Sequence, residues 1–282
     1  MRRPSALKIA LAHAGLSAIA LAVLYPVLWV LKMALTPSQA FSLDPSPIPA
    51  DPSLANFADL VGATDMDGNY LFFRQLWNSV AVALATTVIG VGLATTAAYA
   101  FSRFSFRGRK AGMNLLLVTQ MFPGVVMMIP LYIILERLAL LDTLSGLALV
   151  YATTAVPFCV WMLKGYFDTI PRELEEAAVM DGMGRLAIFR RIVLPLARPG
   201  IVVTALFSFM TAWNEFILAA TFMSDPGMFT LPVALQRFVG DYSTEWGRFA
   251  AGAVLVSIPV MGLFFALQRH LVGGLTAGGV KG

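Results

Sequence analysis

The chain has 282 residues, 58% of them hydrophobic and 13% charged, with a mean hydropathy of +0.76 and a formal net charge of +4. Such a composition lies outside the soluble globular range and makes the lipid bilayer the main solvent. The basic residues are spread over separate short loops rather than gathered into a stripe, which excludes nucleic acid as a partner.

Crossing the hydrocarbon core as a helix takes about 20 largely apolar residues. Six stretches meet that need, running roughly from Leu11 to Ala34, Val80 to Phe101, Ala111 to Leu135, Thr143 to Leu163, Pro199 to Met223 and Phe249 to Gln268. The first follows Arg2, Arg3 and Lys8 and precedes Ser38-Gln39-Ala40, so a signal peptide is the alternative. Its apolar run exceeds the usual signal core of about 7 to 15 residues, which favours a retained span. The expected fold is an all-α membrane protein of six transmembrane helices.

Fifteen of the 20 Lys and Arg fall on one side of this arrangement, including Arg103, Arg107, Arg109, Lys110, Lys164, Arg172, Arg185, Arg190, Arg191 and Arg198. The positive-inside tendency then places both termini and the 164–198 loop in the cytoplasm. The expected organisation is residues 1–34 as N-terminus and first span, 35–75 as an outward loop, 76–268 as a five-helix core with a cytoplasmic loop at 167–198, and 269–282 as a cytoplasmic tail. The outward loop carries five prolines and reads as an extended linker followed by a short amphipathic piece. Pro123-Gly124, Pro130, Pro157 and Pro259 interrupt backbone hydrogen bonding inside spans, which is tolerated where helices pack or line a cavity. Cys159, the single cysteine, leaves no disulfide or cysteine metal cluster available and reads as packing.

No phosphate-binding GxxxxGK[ST] loop is present, so no nucleotide is expected on this chain by that route. The two histidines, His13 and His270, assemble into neither a metalloprotease signature nor a catalytic triad. No catalytic residue, metal site or bound cofactor is expected.

The residues from Glu175 to Pro195 form a polar, basic island in an otherwise apolar sequence. Pro171 suits a first helical position and Glu173 complements the positive end of a helix dipole, which predicts a helix from about Pro171 to Met180. Gly182 supplies a corner, and a second helix is expected from Arg185 to Val193, stopped by Pro195. Leu174, Ala177 and Ala178 on the first helix, and Leu186, Phe189 and Ile192 on the second, fall at helical spacing and invite a partner's groove. The same stripe would also serve to rest the hairpin on the bundle or the headgroups.

Glu176-Ala177-Ala178, then Gly182, then Ile192-Val193-Leu194-Pro195 resemble the signature of integral-membrane subunits of binding-protein-dependent ABC importers, gap-free over 20 positions. The resemblance implies a type I importer permease fold with N-in/C-in topology. It also implies that the hairpin is a coupling helix on a separate ATPase, with Glu176 as anchoring charge, Gly182 as corner, and Leu174, Ala177, Ala178, Leu186 and Phe189 at the contact. Phe122-Pro123-Gly124, Trp213-Asn214-Glu215-Phe216 and the tail Gly274 to Gly282 resemble the sugar-importing branch, the tail being closest to its maltose/maltodextrin members. For Thr276, Gly278, Gly279 and Lys281 this implies contact with the ATPase. The implied partners are a second, non-identical permease, two ATP-binding subunits carrying ATP and Mg, a periplasmic or lipid-anchored sugar-binding protein, and the bilayer.

Glu215 is the one acid firmly inside a span, and with Asn214 it is a translocation-path candidate; a hydrogen-bonded packing role is the alternative. Phe229, Tyr242 and Trp246 lie in an outward loop where aromatic rings stack on sugars or form an interfacial belt, and they are candidates for facing the binding protein. A permease for another sugar, such as trehalose or glycerol-3-phosphate, shares these features. A stand-alone secondary carrier is the rival from another class, but it would show internal repeats and more buried charge.

Overall fold

The computed structural model describes residues 6–240 and 244–279. In chain order they form α1 (Ala6–Leu35), α2 (Ala55–Gly62), α3 (Leu71–Arg103), α4 (Arg109–Thr119), α5 (Gly124–Arg137), α6 (Leu144–Asp168), α7 (Glu173–Met180), α8 (Arg185–Ile188), a π-helical turn (Phe189–Val193), α9 (Leu194–Leu196), α10 (Arg198–Trp213), α11 (Ile217–Phe222), α12 (Leu231–Gln236) and α13 (Trp246–Gly279). Among the described residues there is no strand, only two isolated β-bridges.

Among the described residues four single helices are long and apolar enough to cross a membrane: Leu7–Leu35, Leu71–Arg103, Leu144–Asp168 and Trp246–Gln268. The expected third and fifth spans are not single helices. The third is split into α4 and α5, bent by 99°. Pro123 has no N–H to donate and pushes Phe122 away from helical geometry, so the ladder stops at Thr119 and restarts at Gly124. Counting this pair as one span, and likewise the pair Arg185–Leu196 and Arg198–Trp213 bent by 75°, gives up to six among the described residues. The expected fifth span ends early, because α10 stops at Trp213 and the chain resumes as α11 only at Ile217. By contrast Pro130, Pro157 and Pro259 lie inside continuous helices.

The described residues divide into two compact units, 6–73 with 234–259, and 74–233 with 260–279. In the first unit the expected linker is an ordered strap. Buried Lys32 donates to the Asp44 carboxylate at 2.9 Å and to the carbonyls of Asp44 and Ser46 at 2.9 and 2.7 Å. Asn56, also buried, donates to the carbonyls of Ala34 and Thr36 and accepts from Gln39. These bonds satisfy carbonyls that the end of α1 would otherwise leave unpaired. The anticipated amphipathic piece is α2, with Leu60 turned inward.

The core of the second unit is built on α6, 61% of whose apolar window is buried against 0% for α1. Small residues let neighbours approach: Ala94 and Ala98 of α3 and Ala155 and Cys159 of α6 form one buried cluster with Leu163 and Phe167. Cys159 is free and buried, in keeping with a packing role. Where α10 leaves the hairpin, a Cβ on Gly200 would stand 2.5 Å from the Tyr166 ring, so only glycine fits that crossing. Thr143 caps α6 by accepting from the Gly146 amide at 3.0 Å.

Candidate functional site

The helix-corner-helix island forms a hairpin packed on the ends of α3 and α6. Glu173, Glu175 and Glu176 occupy the first turn of α7, where carboxylates oppose the positive end of the dipole. Gly182 has φ +81°, its N–H donates to the Val179 carbonyl at 3.0 Å, and the Met183 N–H donates to the Ala178 carbonyl at 2.9 Å. That pair of bonds is a Schellman ending, which needs a residue free to adopt left-handed geometry at the corner. The second limb differs from the expected single helix: α8 passes into a π turn whose bond runs from the Leu194 N–H to the Phe189 carbonyl. The helical run ends at Leu196, one residue beyond Pro195, before α10 leaves at 75°.

The hairpin has two chemically different faces. Ala178, Ile188 and Val193 belong to the same buried cluster as Leu163 and Phe167 of α6. Phe189 is half-buried, its ring 4.6 Å from that of Tyr99, so the expected stripe of Leu186, Phe189 and Ile192 is split between the two faces. Turned outward are Leu174, Met180 and Leu186, exposed by 45%, 86% and 60%, beside exposed Glu176 and Ala177.

Polar contacts lock the inner face. Arg103 Nε donates to Glu175 at 2.5 Å with both side chains largely buried, Tyr99 donates to the same carboxylate at 3.1 Å, and another Arg103 nitrogen donates to the Ile170 carbonyl at 3.0 Å. Arg172 reaches back to the Ser102 carbonyl at 3.0 Å, and the Ser102 hydroxyl donates to Asp168 at 2.6 Å. Arg185 adds a cation over the Phe104 ring. Glu176, expected to anchor the hairpin to a separate ATPase, is exposed, while its neighbour Glu175 is the acid that ties the hairpin to the bundle. Only the fold brings Tyr99 and Arg103 beside it, more than 70 residues away in sequence.

At the other end of the second unit Glu215 is half-buried. Its carboxylate accepts from the Tyr151 hydroxyl at 2.5 Å and from the amides of Leu218 and Ala219 at 2.8 and 3.1 Å, and so caps α11. Asn214 is exposed and donates to the Met210 carbonyl. Phe229 is only 8% exposed and presents no face to a docked protein. In the first unit Trp246 packs edge-on against Phe41 with centroids 5.2 Å apart. Tyr242 and Lys281 lie outside the described residues. Thr276, Gly278 and Gly279 fall within α13, so the expected cytoplasmic tail is helical that far.

Residues 87–276 match the model of the family described as the binding-protein-dependent transport system inner membrane component. The chain belongs to that family. Among permease relatives it is 37% identical to the maltose/maltodextrin transport system permease protein MalG of Vibrio vulnificus, covering 96% of this chain and 95% of that protein. It is also 37% identical to the trehalose transport system permease protein SugB of Mycobacterium tuberculosis, covering 92% and 93%. A crystal structure of a bacterial ABC transporter involved in the import of the acidic polysaccharide alginate shares the fold, with a TM-score of 0.77 at 23% identity over 95% of this chain and 99% of that one. This permease is therefore a non-catalytic, multi-pass component of a cytoplasmic membrane ABC transporter.

Proposed function

We propose that this permease is the membrane-spanning subunit of an ABC importer for maltose, maltodextrin or a related oligosaccharide. It works beside a second, non-identical permease, two ATP-binding subunits and a sugar-binding protein, with N- and C-termini and hairpin in the cytoplasm. The observation that carries the coupling role is the two-faced hairpin, whose exposed Leu174, Met180 and Leu186 stand over an inner face held by Arg103 and Glu175. ATP and Mg belong to the partner, and closure of that partner moves the seated outer face. The clamp passes the displacement to α3 through Arg103 and Glu175, and the bond from Ser102 to Asp168 ties that end of α3 to α6. Inverting a two-state transporter from 1:99 to 99:1 takes about 5.5 kcal/mol of differential binding, and a loose joint would dissipate it.

Glu215 is committed to Tyr151 and α11, which leaves exposed Asn214 as the member of the pair open to a passing solute. Equal identity to the MalG and SugB relatives makes trehalose the second reading for the sugar.

The test is reconstitution of all subunits in liposomes with maltodextrin or trehalose outside. Maltodextrin should raise both ATP hydrolysis and uptake, and Glu176→Lys should abolish uptake while the chain still inserts. Stimulation by trehalose alone would reassign the sugar and leave the permease role standing. Normal uptake by Glu176→Lys would sink the coupling role.

A further inference from the structure

In the second unit, beside the hairpin, a cavity of about 660 Å³ opens between α4 and α6. Its lining is sorted by chemistry along the helices. Arg109 and Lys110 in the first turn of α4 and Lys164 near the end of α6 form one end, while Met113, Leu117 and Trp161 form a wall leading away from them. Arg109 to Leu117 spans about 12 Å of helix axis at 1.5 Å per residue, comparable to several carbons of an extended acyl chain. Trp161 is 52% exposed on that wall, an amphipathic ring of the kind enriched at the edge of the hydrocarbon layer.

The charge is unbalanced. Arg109 and Lys110 make no ion pair among the described residues, and the first turn of α4 holds no acid. Both therefore face the positive end of their own helix, an unfavourable placement that an external anion reverses. Lys164 pairs with Asp168, whose carboxylate also accepts from Ser102, so that acid is not free to neutralise the other two cations.

We propose that this cavity binds an anionic phospholipid, its phosphate between Arg109, Lys110 and Lys164 and its acyl chain along Met113, Leu117 and Trp161. A free anion would use the cations but leave the apolar wall bare, and a zwitterionic lipid would fill the wall but leave the charge uncancelled. The inference depends on the chain crossing a membrane, and it is independent of which solute is carried.

The experiment is native mass spectrometry of the full chain in its membrane complex, titrated with phosphatidylglycerol or with phosphatidylcholine of the same acyl chains. Phosphatidylglycerol should bind more tightly, and Arg109→Gln or Lys110→Gln should each weaken it about five-fold, the equivalent of ~1 kcal/mol per basic residue at an anionic surface. Arg107→Gln, exposed nearby but outside the cavity, should leave binding unchanged. Equal binding of the two lipids, an undiminished phosphatidylglycerol preference in the Arg109→Gln/Lys110→Gln variant, or full displacement by inorganic phosphate would each overturn the assignment. Asn114 also lines the cavity, and a cross-link from Asn114→Cys to a partner chain rather than to lipid would overturn the assignment too.

Discussion

Glu215 looked in sequence like a charge waiting for a solute, and the fold gives it three local donors instead. Replacing Tyr151 by Phe removes one of them and should lower stability by about 1 kcal/mol. Glu215→Leu strands the Leu218 and Ala219 amides as well, at about 1–3 kcal/mol for each buried donor left unpaired. Thermal unfolding in detergent measures both, and a purely catalytic or transport role would leave these midpoints untouched. Lys32 offers the complementary case. The hydrogen bond from its ammonium holds the Asp44 carboxyl below the ordinary value of 3.8. A carboxyl lowered in the folded state contributes stability above its unfolded pKa and loses it as pH falls through the lower folded value. The midpoint difference between wild type and Asp44→Asn should therefore be constant near neutral pH and shrink below about pH 4. Neither pairing is legible in the sequence. Lys32 finds its partner 12 residues on, across a stretch with no periodic pattern, and Tyr151 lies 64 residues from Glu215.

At the scale of elements, the parts read correctly from sequence are those with local causes. The end of α7 follows from Gly182, whereas Pro123, Pro130, Pro157 and Pro259 look alike in sequence and only Pro123 ends a helix. The break after Trp213 carries neither glycine nor proline, and the π turn before Pro195 has no composition signature, so both were invisible. Gly182→Val meets no atom within 4 Å, so its cost is conformational, about 1–2 kcal/mol for a branched residue forced into left-handed geometry. It should slow uptake more than ATP hydrolysis in the reconstituted transporter, with Gly182→Asn closer to wild type. Arg103→Gln leaves the Glu175 carboxylate without its main partner at a largely buried site, a change worth about 3 kcal/mol. Hydrogen exchange over 173–193 should accelerate, and adding Glu175→Gln should restore part of the protection. Equal and additive effects of the two changes would show that the clamp is not a coupled pair.

At the scale of the whole chain, the apolar surface is distributed very unevenly among the spans. The α6 helix is the post on which the second unit is packed, and Ala155→Leu should overfill the space beside Gly90, costing about 1–3 kcal/mol. The same kind of substitution on α1, for example Leu16→Phe, enters no core and should change the melting of the isolated chain by less than about 0.5 kcal/mol. Hydropathy located both helices equally well, because it reports the solvent and not which helix has neighbours. The two-faced hairpin carries a last consequence. The residues that bind it to its own bundle are distinct from those it shows outward, so Leu174, Met180 and Leu186 can be exchanged as a set without touching Arg103, Glu175 or Ala178. On the proposed coupling role, a chain built this way can be refitted to a different ATPase subunit by surface grafting alone, much as a plug is recut for a new socket while its wiring stays in place.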